Sequence, residues 1–258
     1  LHNNSIPVFA DIDPTTFNLS VESLERVITE RTRGIVAVDL LGLPACYDAI
    51  SKVARRHGIK VIEDASQSQG ATYQGKKAGS LGDISAMSIM ASKNLPSCGE
   101  GGLITTDDDE IFSRILGHAS HGMNLWNAST GPRPISYQLG FNYRPTPTSI
   151  AFTWSQLRRL QHYQSLRNNR VALFEQGVKD IPFLQLPTVP PDRTHGYQMY
   201  RITVKPEALG LDISYERHLR DALVFLLRAE GGLCGFWENQ LLPEMELFQK
   251  KVGYGGGC

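Results

Sequence analysis

A lysine and an acid define the chemistry open to this chain. Lys93 lies in Ser88-Ile89-Met90-Ala91-Ser92-Lys93-Asn94-Leu95, directly ahead of the glycine-rich run Gly99-Glu100-Gly101-Gly102. Upstream, the apolar pair Val61-Ile62 runs into Glu63-Asp64-Ala65-Ser66-Gln67. One strand that delivers an acid and a second that delivers a lysine fit a pocket at the carboxyl ends of a parallel sheet. Pyridoxal phosphate (PLP) chemistry needs both groups. The lysine amine holds the cofactor aldehyde, and the acid keeps the pyridine nitrogen protonated so that the ring accepts electrons.

The elements that must position these groups are legible from periodicity. Short apolar runs predict strands at residues 8–12, 35–38, 60–63, 84–89 and 102–106. Ser20 reads as an N-cap, with Val21, Leu24, Val27 and Ile28 at helical spacing behind it. Residues 46–57 read as a helix closed by Gly58 at the C′ position, and 107–116 as a helix with acids in its first turn. Alternating strands and helices imply a mainly parallel α/β sheet with right-handed crossovers. Residues 131–147 read as an ordered loop. One long helix is expected over 148–178, with Ile150, Phe152, Trp154, Leu157, Leu160 and Leu166 in the core. A strand is expected within 196–204 and an amphipathic helix over 215–228. The expected division is a large domain over 1–148 and a smaller α+β domain over 149–258.

Composition excludes several functions. The 258 residues carry 26 basic and 26 acidic side chains, which leaves no electrostatic footprint for nucleic acid or an anionic membrane. No apolar run reaches the length of a membrane span. The cysteines, Cys46, Cys98, Cys234 and Cys258, show no CxxC spacing, so reduced thiols in a cytoplasmic protein are expected, with Cys98 filling a gap near Lys93. His118, His121 and His195 lack acid or cysteine neighbours at ligand spacing, so no metal is expected. Gly99, Gly101 and Gly102 lack the GxGxxG spacing of a nucleotide loop and read as a tight turn at the lysine.

The chain resembles the DegT/DnrJ/EryC1/StrS sugar aminotransferases, a family of fold-type I PLP enzymes. The resemblance rests on an ordered series of motifs: Pro7-Val8-Phe9-Ala10-Asp11-Ile12-Asp13, Val61 to Gln67, Gly79-Ser80-Leu81-Gly82-Asp83-Ile84, Ser88 to Asn94, Gly99 to Gly102, His121-Gly122 and Gly140-Phe141-Asn142-Tyr143-Arg144. It implies that Lys93 is the Schiff-base lysine and that Asp64 pairs with the pyridine nitrogen, Glu63 beside it being the more ordinary acid. Gln67 is implied near the cofactor ring and its hydroxyl, and Ser88 at the phosphate. Asn142 is implied to reach a partner's phosphate across a homodimer interface. The reaction implied is transfer of an amino group from glutamate or glutamine to a keto sugar, often nucleotide-linked, or to a keto cyclitol.

The same resemblance sets two alternatives. Some members dehydrate sugars or aromatise a ring, and the dehydrating ones carry histidine where Lys93 stands. A non-catalytic fragment or regulatory paralogue is the other. The family's N-terminal Gly-Thr phosphate loop and ring-stacking aromatic have no counterpart before Pro7, and the C-terminal end is expected to stop short after Tyr254.

Overall fold

The computed structural model describes residues 3, 5–123, 136–236 and 240–251. The chain groups into two compact units: Ile12–Gln176 with Pro187–Arg201, and Leu1–Asp11 with Gly177–Leu186 and Ile202–Cys258. This is a different division from a single cut after residue 148.

The first of these units holds the sheet. After α1 (Val21–Val27) come β1 (Gly34–Val38), α2 (Tyr47–His57), β2 (Lys60–Asp64), a hairpin of β3 (Thr72–Tyr73) and β4 (Lys76–Lys77), then β5 (Ile84–Ser88) and β6 (Gly102–Thr105). The main sheet has the order β1-β2-β5-β6. Pairs β1–β2 and β2–β5 are parallel, with Val38 beside Asp64 and Asp64 beside Ala86. The edge pair β5–β6 is antiparallel, with Ser88 opposite Gly102. That edge departs from uniformly parallel pairing, because the chain turns straight back through the Lys93 segment without a crossover helix.

Local chemistry explains the helices. Ser20 caps α1 by accepting from the Ser23 N–H at 3.2 Å. Gly58 ends α2 with φ of 63°, in the left-handed region that glycine enters without strain. The core beneath the sheet is Leu24, Ile35, Ala37, Ile50, Val53 and Val61, joined by Tyr47 and Tyr73 ring to ring at 6.2 Å. Helix α3 (Asp109–Ala119) starts later than 107, because Asp108 is its cap and accepts from both Glu110 and Ile111 N–H groups.

Other expectations are corrected. Residues 8–12 form no named strand among the described residues; Ile12 forms an isolated antiparallel bridge with Leu19. The long helix is broken into α4 (Pro147–Leu157) and α5 (Leu160–Val178), with the Arg159 N–H turning back to the Gln156 carbonyl at 2.9 Å. Of its expected core positions, Leu160 is half-buried, while Ile150, Phe152, Trp154, Leu157 and Leu166 are exposed, Trp154 to 61%. The buried positions are Thr153 and Gln164, whose polar groups bond the Ser149 and His195 carbonyls. Of the loop expected at 131–147, residues 131–135 lie outside the described residues, and the rest runs without helix or strand to α4, tied by the bridge Ser120–Asn142 and by N–H bonds from Tyr137 to Gly122 and from Tyr143 to Ala119.

In the other unit, β7 (Leu184–Gln185) pairs antiparallel with β8 (Thr203–Val204), so the strand expected within 196–204 lies at its end. Helix α6 (Glu216–Ala229) follows, then the short α7 (Glu246–Gln249). No helix among the described residues is long and apolar enough to cross a membrane.

Candidate active site

Strand alternation sorts the two acids of β2 to opposite faces. Val61 and Glu63 point into the core; Ile62 and Asp64 point the other way. Glu63, expected to be ordinary, is fully buried. It accepts from the N–H groups of Gly79 at 2.6 Å, Leu81 at 2.7 Å and Gly82 at 3.2 Å, and from the Ser85 hydroxyl. Those donors occupy its oxygens, so Glu63 is a structural anchor for the turn before β5. Asp64 is half-buried at the carboxyl end of β2. Its Oδ1 accepts from the Ser66 N–H at 3.0 Å, and its Oδ2 has no hydrogen-bond partner among the described residues.

The turn after β2, the end of β5 and the turn beyond it carry the other groups of interest. Gln67 is buried in the turn after β2; its Oε1 accepts from the Leu41 N–H at 2.5 Å, while its Nε2 has no partner among the described residues. Ser88 closes β5, the strand beside β2, and its Oγ accepts from the Met90 N–H at 3.3 Å, which leaves the hydroxyl proton to donate. Gln69 ties the two strand ends together, donating from Nε2 to the Ser66 carbonyl at 3.1 Å and to the Ser88 carbonyl at 2.6 Å. Lys93 sits in the turn beyond β5, half-buried, with no acid paired to its amine among the described residues. Its N–H bonds the Met90 carbonyl at 2.9 Å, and the residues on either side of it bond to Gln198.

The structure therefore draws Asp64, Gln67, Ser88 and Lys93 into one hydrogen-bonded region at the ends of β2 and β5. Asn142 belongs to another segment. It is exposed, bridged to Ser120, and accepts from Arg144 Nε at 2.9 Å. Cys98, expected to fill a gap, is exposed instead, because the turn that carries it leaves its thiol uncovered. Among the described residues no cluster of histidine, cysteine or acid could hold a metal.

Two residues at this end of the sheet carry no signal in a local sequence pattern. Asp39 follows β1, fully buried. It accepts from the Ala45 N–H at 2.9 Å, the Tyr47 hydroxyl at 2.9 Å and the Ser68 hydroxyl at 2.8 Å. Burial, then the nearby charge of Glu63, raises its carboxyl to about 7. The other is Gln198, which comes from beyond α5. Next to it His195 stacks flat on Tyr197 with ring centroids 4.2 Å apart, and its Nδ1 accepts from the Tyr197 N–H at 2.8 Å. Burial, with Arg201 nearby, lowers His195 to about 4, so the ring is neutral. These rings line a cavity of about 310 Å³ with Asn168, Glu175 and Arg193.

The DegT/DnrJ/EryC1/StrS aminotransferase profile matches residues 1–256. The chain belongs to that family. Its relatives include the spore coat polysaccharide biosynthesis protein SpsC of Bacillus subtilis, 35% identical over 98% of this chain and 64% of that protein. GDP-perosamine synthase of Caulobacter vibrioides is 37% identical over 83% of this chain and 56% of its own length. The chain thus spans less than two thirds of either relative. Among solved structures, S. venezuelae DesV superposes with a TM-score of 0.83 at 26% identity, covering 95% of this chain and 61% of DesV. E. coli GDP-4-keto-6-deoxy-D-mannose-3-dehydratase, solved with bound hydrated PLP, superposes at 0.71 with 28% identity over 86% of this chain and 58% of that one. The fold is accordingly that of the family's fold-type I PLP enzymes.

Proposed function

We propose that this chain carries the cofactor site of a PLP-dependent aminotransferase that moves an amino group from glutamate or glutamine to a keto sugar, often nucleotide-linked, or to a keto cyclitol. The observation that carries the reading is the set of unpartnered groups in one region: the Asp64 Oδ2, the Gln67 Nε2 and the Lys93 amine. A carboxylate, an amide donor, a hydroxyl and an amine match the pyridine nitrogen, ring hydroxyl, phosphate and aldehyde of PLP. Bound PLP supplies an electron sink that lets a proton leave the α-carbon of an amine.

The residues divide the work. Lys93 would anchor the cofactor through its amine, and its Nζ would serve as the proton carrier. Asp64 would hold the pyridine nitrogen through its Oδ2, unpartnered among the described residues. Gln67 donates from Nε2 to the ring hydroxyl, and Ser88 donates its hydroxyl proton to the phosphate. Asn142 serves the neighbour's phosphate in a homodimer. The exposure of Tyr137, Leu139, Phe141 and Tyr143 around it supports that interface, since grouped apolar side chains are costly to leave in water. The names of SpsC and GDP-perosamine synthase support a sugar acceptor. Lysine rather than histidine at position 93 favours amination over dehydration. Reduced thiols and the absence of a membrane-spanning helix among the described residues suit a cytoplasmic setting.

The test is Lys93→Ala in the intact protein supplied with PLP, an amino donor and nucleotide-linked keto sugars, with keto acid release as the readout. Loss of the anchor and the proton carrier together lowers turnover by about 10³-fold or more. Turnover within about tenfold of wild type would contradict the reading.

A further inference from the structure

The turn that presents Lys93 is held from outside by one side chain. Gln198 Oε1 accepts from the Asn94 N–H at 3.0 Å, and Gln198 Nε2 donates to the Ser92 carbonyl at 3.1 Å. These backbone groups flank Lys93 on its two sides. Asn94 returns a bond, from its Nδ2 to the Gly196 carbonyl at 2.8 Å. Within the turn the Lys93 N–H bonds the Met90 carbonyl at 2.9 Å and the Ala91 N–H bonds the Gly99 carbonyl at 2.8 Å, but the Ser92 carbonyl and the Asn94 N–H, which flank Lys93, are held by Gln198.

The clip is itself rigidly mounted. The Gln198 N–H bonds the Leu41 carbonyl at 3.1 Å, and the Gly196 N–H bonds the Gly42 carbonyl at 2.7 Å. The Leu41 N–H in turn bonds Gln67 Oε1. There is no slack at this mount, since a Cβ on Gly42 would lie 2.8 Å from the Tyr197 nitrogen and 3.0 Å from the Gln67 carbonyl oxygen. Gln67 and the Lys93 turn are thus fixed to the same short segment.

A primary amide offers a donor and an acceptor in one plane, which suits it to grip a carbonyl and an N–H together. Holding the carbonyl before a residue and the N–H after it sets the peptide planes on both sides of its Cα. The direction in which the side chain leaves the backbone then follows. We propose that Gln198 is a positioning residue for Lys93: its amide aims the lysine amine and locks the lysine turn to the turn that carries Gln67. The proposal rests on Lys93 being the cofactor-bearing lysine. Both bonds of its amide go to the backbone beside Lys93, so Gln198 acts through that backbone.

The test compares the intact wild-type protein with Gln198→Met and Gln198→Glu. Methionine keeps the reach and removes both bonds. Glutamate keeps the acceptor for Asn94 but sets a second acceptor against the Ser92 carbonyl. The readouts are the rate at which added PLP becomes bonded to Lys93, followed by absorbance and by peptide mapping after borohydride, and the kcat and KM for the amino donor. In Gln198→Met, bonding to Lys93 and kcat both fall about 10- to 100-fold, as misaimed reacting groups require, while KM moves by less than about threefold. In Gln198→Glu the loss is large at high pH and recovers as the introduced acid gains a proton and a donor, a dependence that wild type lacks. Should Gln198→Met fail to fold, this recovery decides alone. Wild-type rates in Gln198→Met, or a Gln198→Glu profile parallel to wild type, would overturn the proposal while leaving the site intact. A wild-type protein that bonds PLP at some other lysine would overturn the reading of the site, and the proposal with it.

Discussion

At the scale of single residues, neighbours in one strand have opposite jobs. Glu63 is saturated by N–H and hydroxyl donors in the core, whereas Asp64, one position on, keeps an oxygen unpartnered among the described residues. The period of a strand, not the nature of the acid, makes the difference. Asp64→Asn preserves shape and the Ser66 contact but removes the charge proposed to hold a pyridinium proton. Turnover is expected to fall by about 10²-fold or more with PLP binding changed much less, measured by single-turnover rates against a PLP titration. Near-wild-type turnover would reduce Asp64 to a turn former.

At the scale of elements, the joint after β1 carries a testable pH dependence. Asp39 keeps its proton to about 7 in the folded chain, against an ordinary value of 3.8. Between these limits the folded state binds more protons, so this group's contribution is full below the ordinary value and declines as pH rises through 7. His195 runs the other way: its pKa falls from 6.5 to about 4, so its contribution is full above 6.5 and is lost as pH drops toward 4. The two slopes offset each other in mild acid. Asp39→Asn can keep an oxygen toward Ala45 and Tyr47 and donate to Ser68, so it removes one slope at small structural cost. Thermal unfolding of this variant should gain stability with rising pH more steeply than wild type, by up to about 1.4 kcal/mol per pH unit. Parallel curves would show that Asp39 ionises normally.

Elements of the main sheet were legible because each carries its own apolar run between glycine or acid boundaries. Residues 8–12 carry such a run too, but a strand also needs a neighbour to pair with. The α4–α5 break was hidden because Leu157-Arg158-Arg159-Leu160 contains only good helix formers. The places of Asp64 and Ser88 at strand ends were readable because each closes a short apolar run. Gln198 and Asp39 act through bonds to distant segments, which a local pattern cannot register.

At the scale of the whole molecule, the proposed dimer makes a claim about which subunit owns which residue. If Asn142 completes the neighbour's site, a mixed dimer of Lys93→Ala and Asn142→Ala subunits has one site with both lesions and one with neither. A two-fold interface requires this outcome. Mixing the inactive variants of the intact protein should then restore activity above the mean of the two parents, up to about half of wild type per mixed dimer. No restoration, despite demonstrated subunit exchange and an inactivating Asn142 change, would assign each site to a single subunit.

The central claim is that Lys93 bears the cofactor, and chemical trapping tests it most directly. The intact protein is incubated with PLP, reduced with borohydride, digested and mapped by mass spectrometry. The account predicts a single labelled peptide with the mass increment on Lys93. A label on any other lysine, or none on a folded protein that takes up PLP, would contradict it.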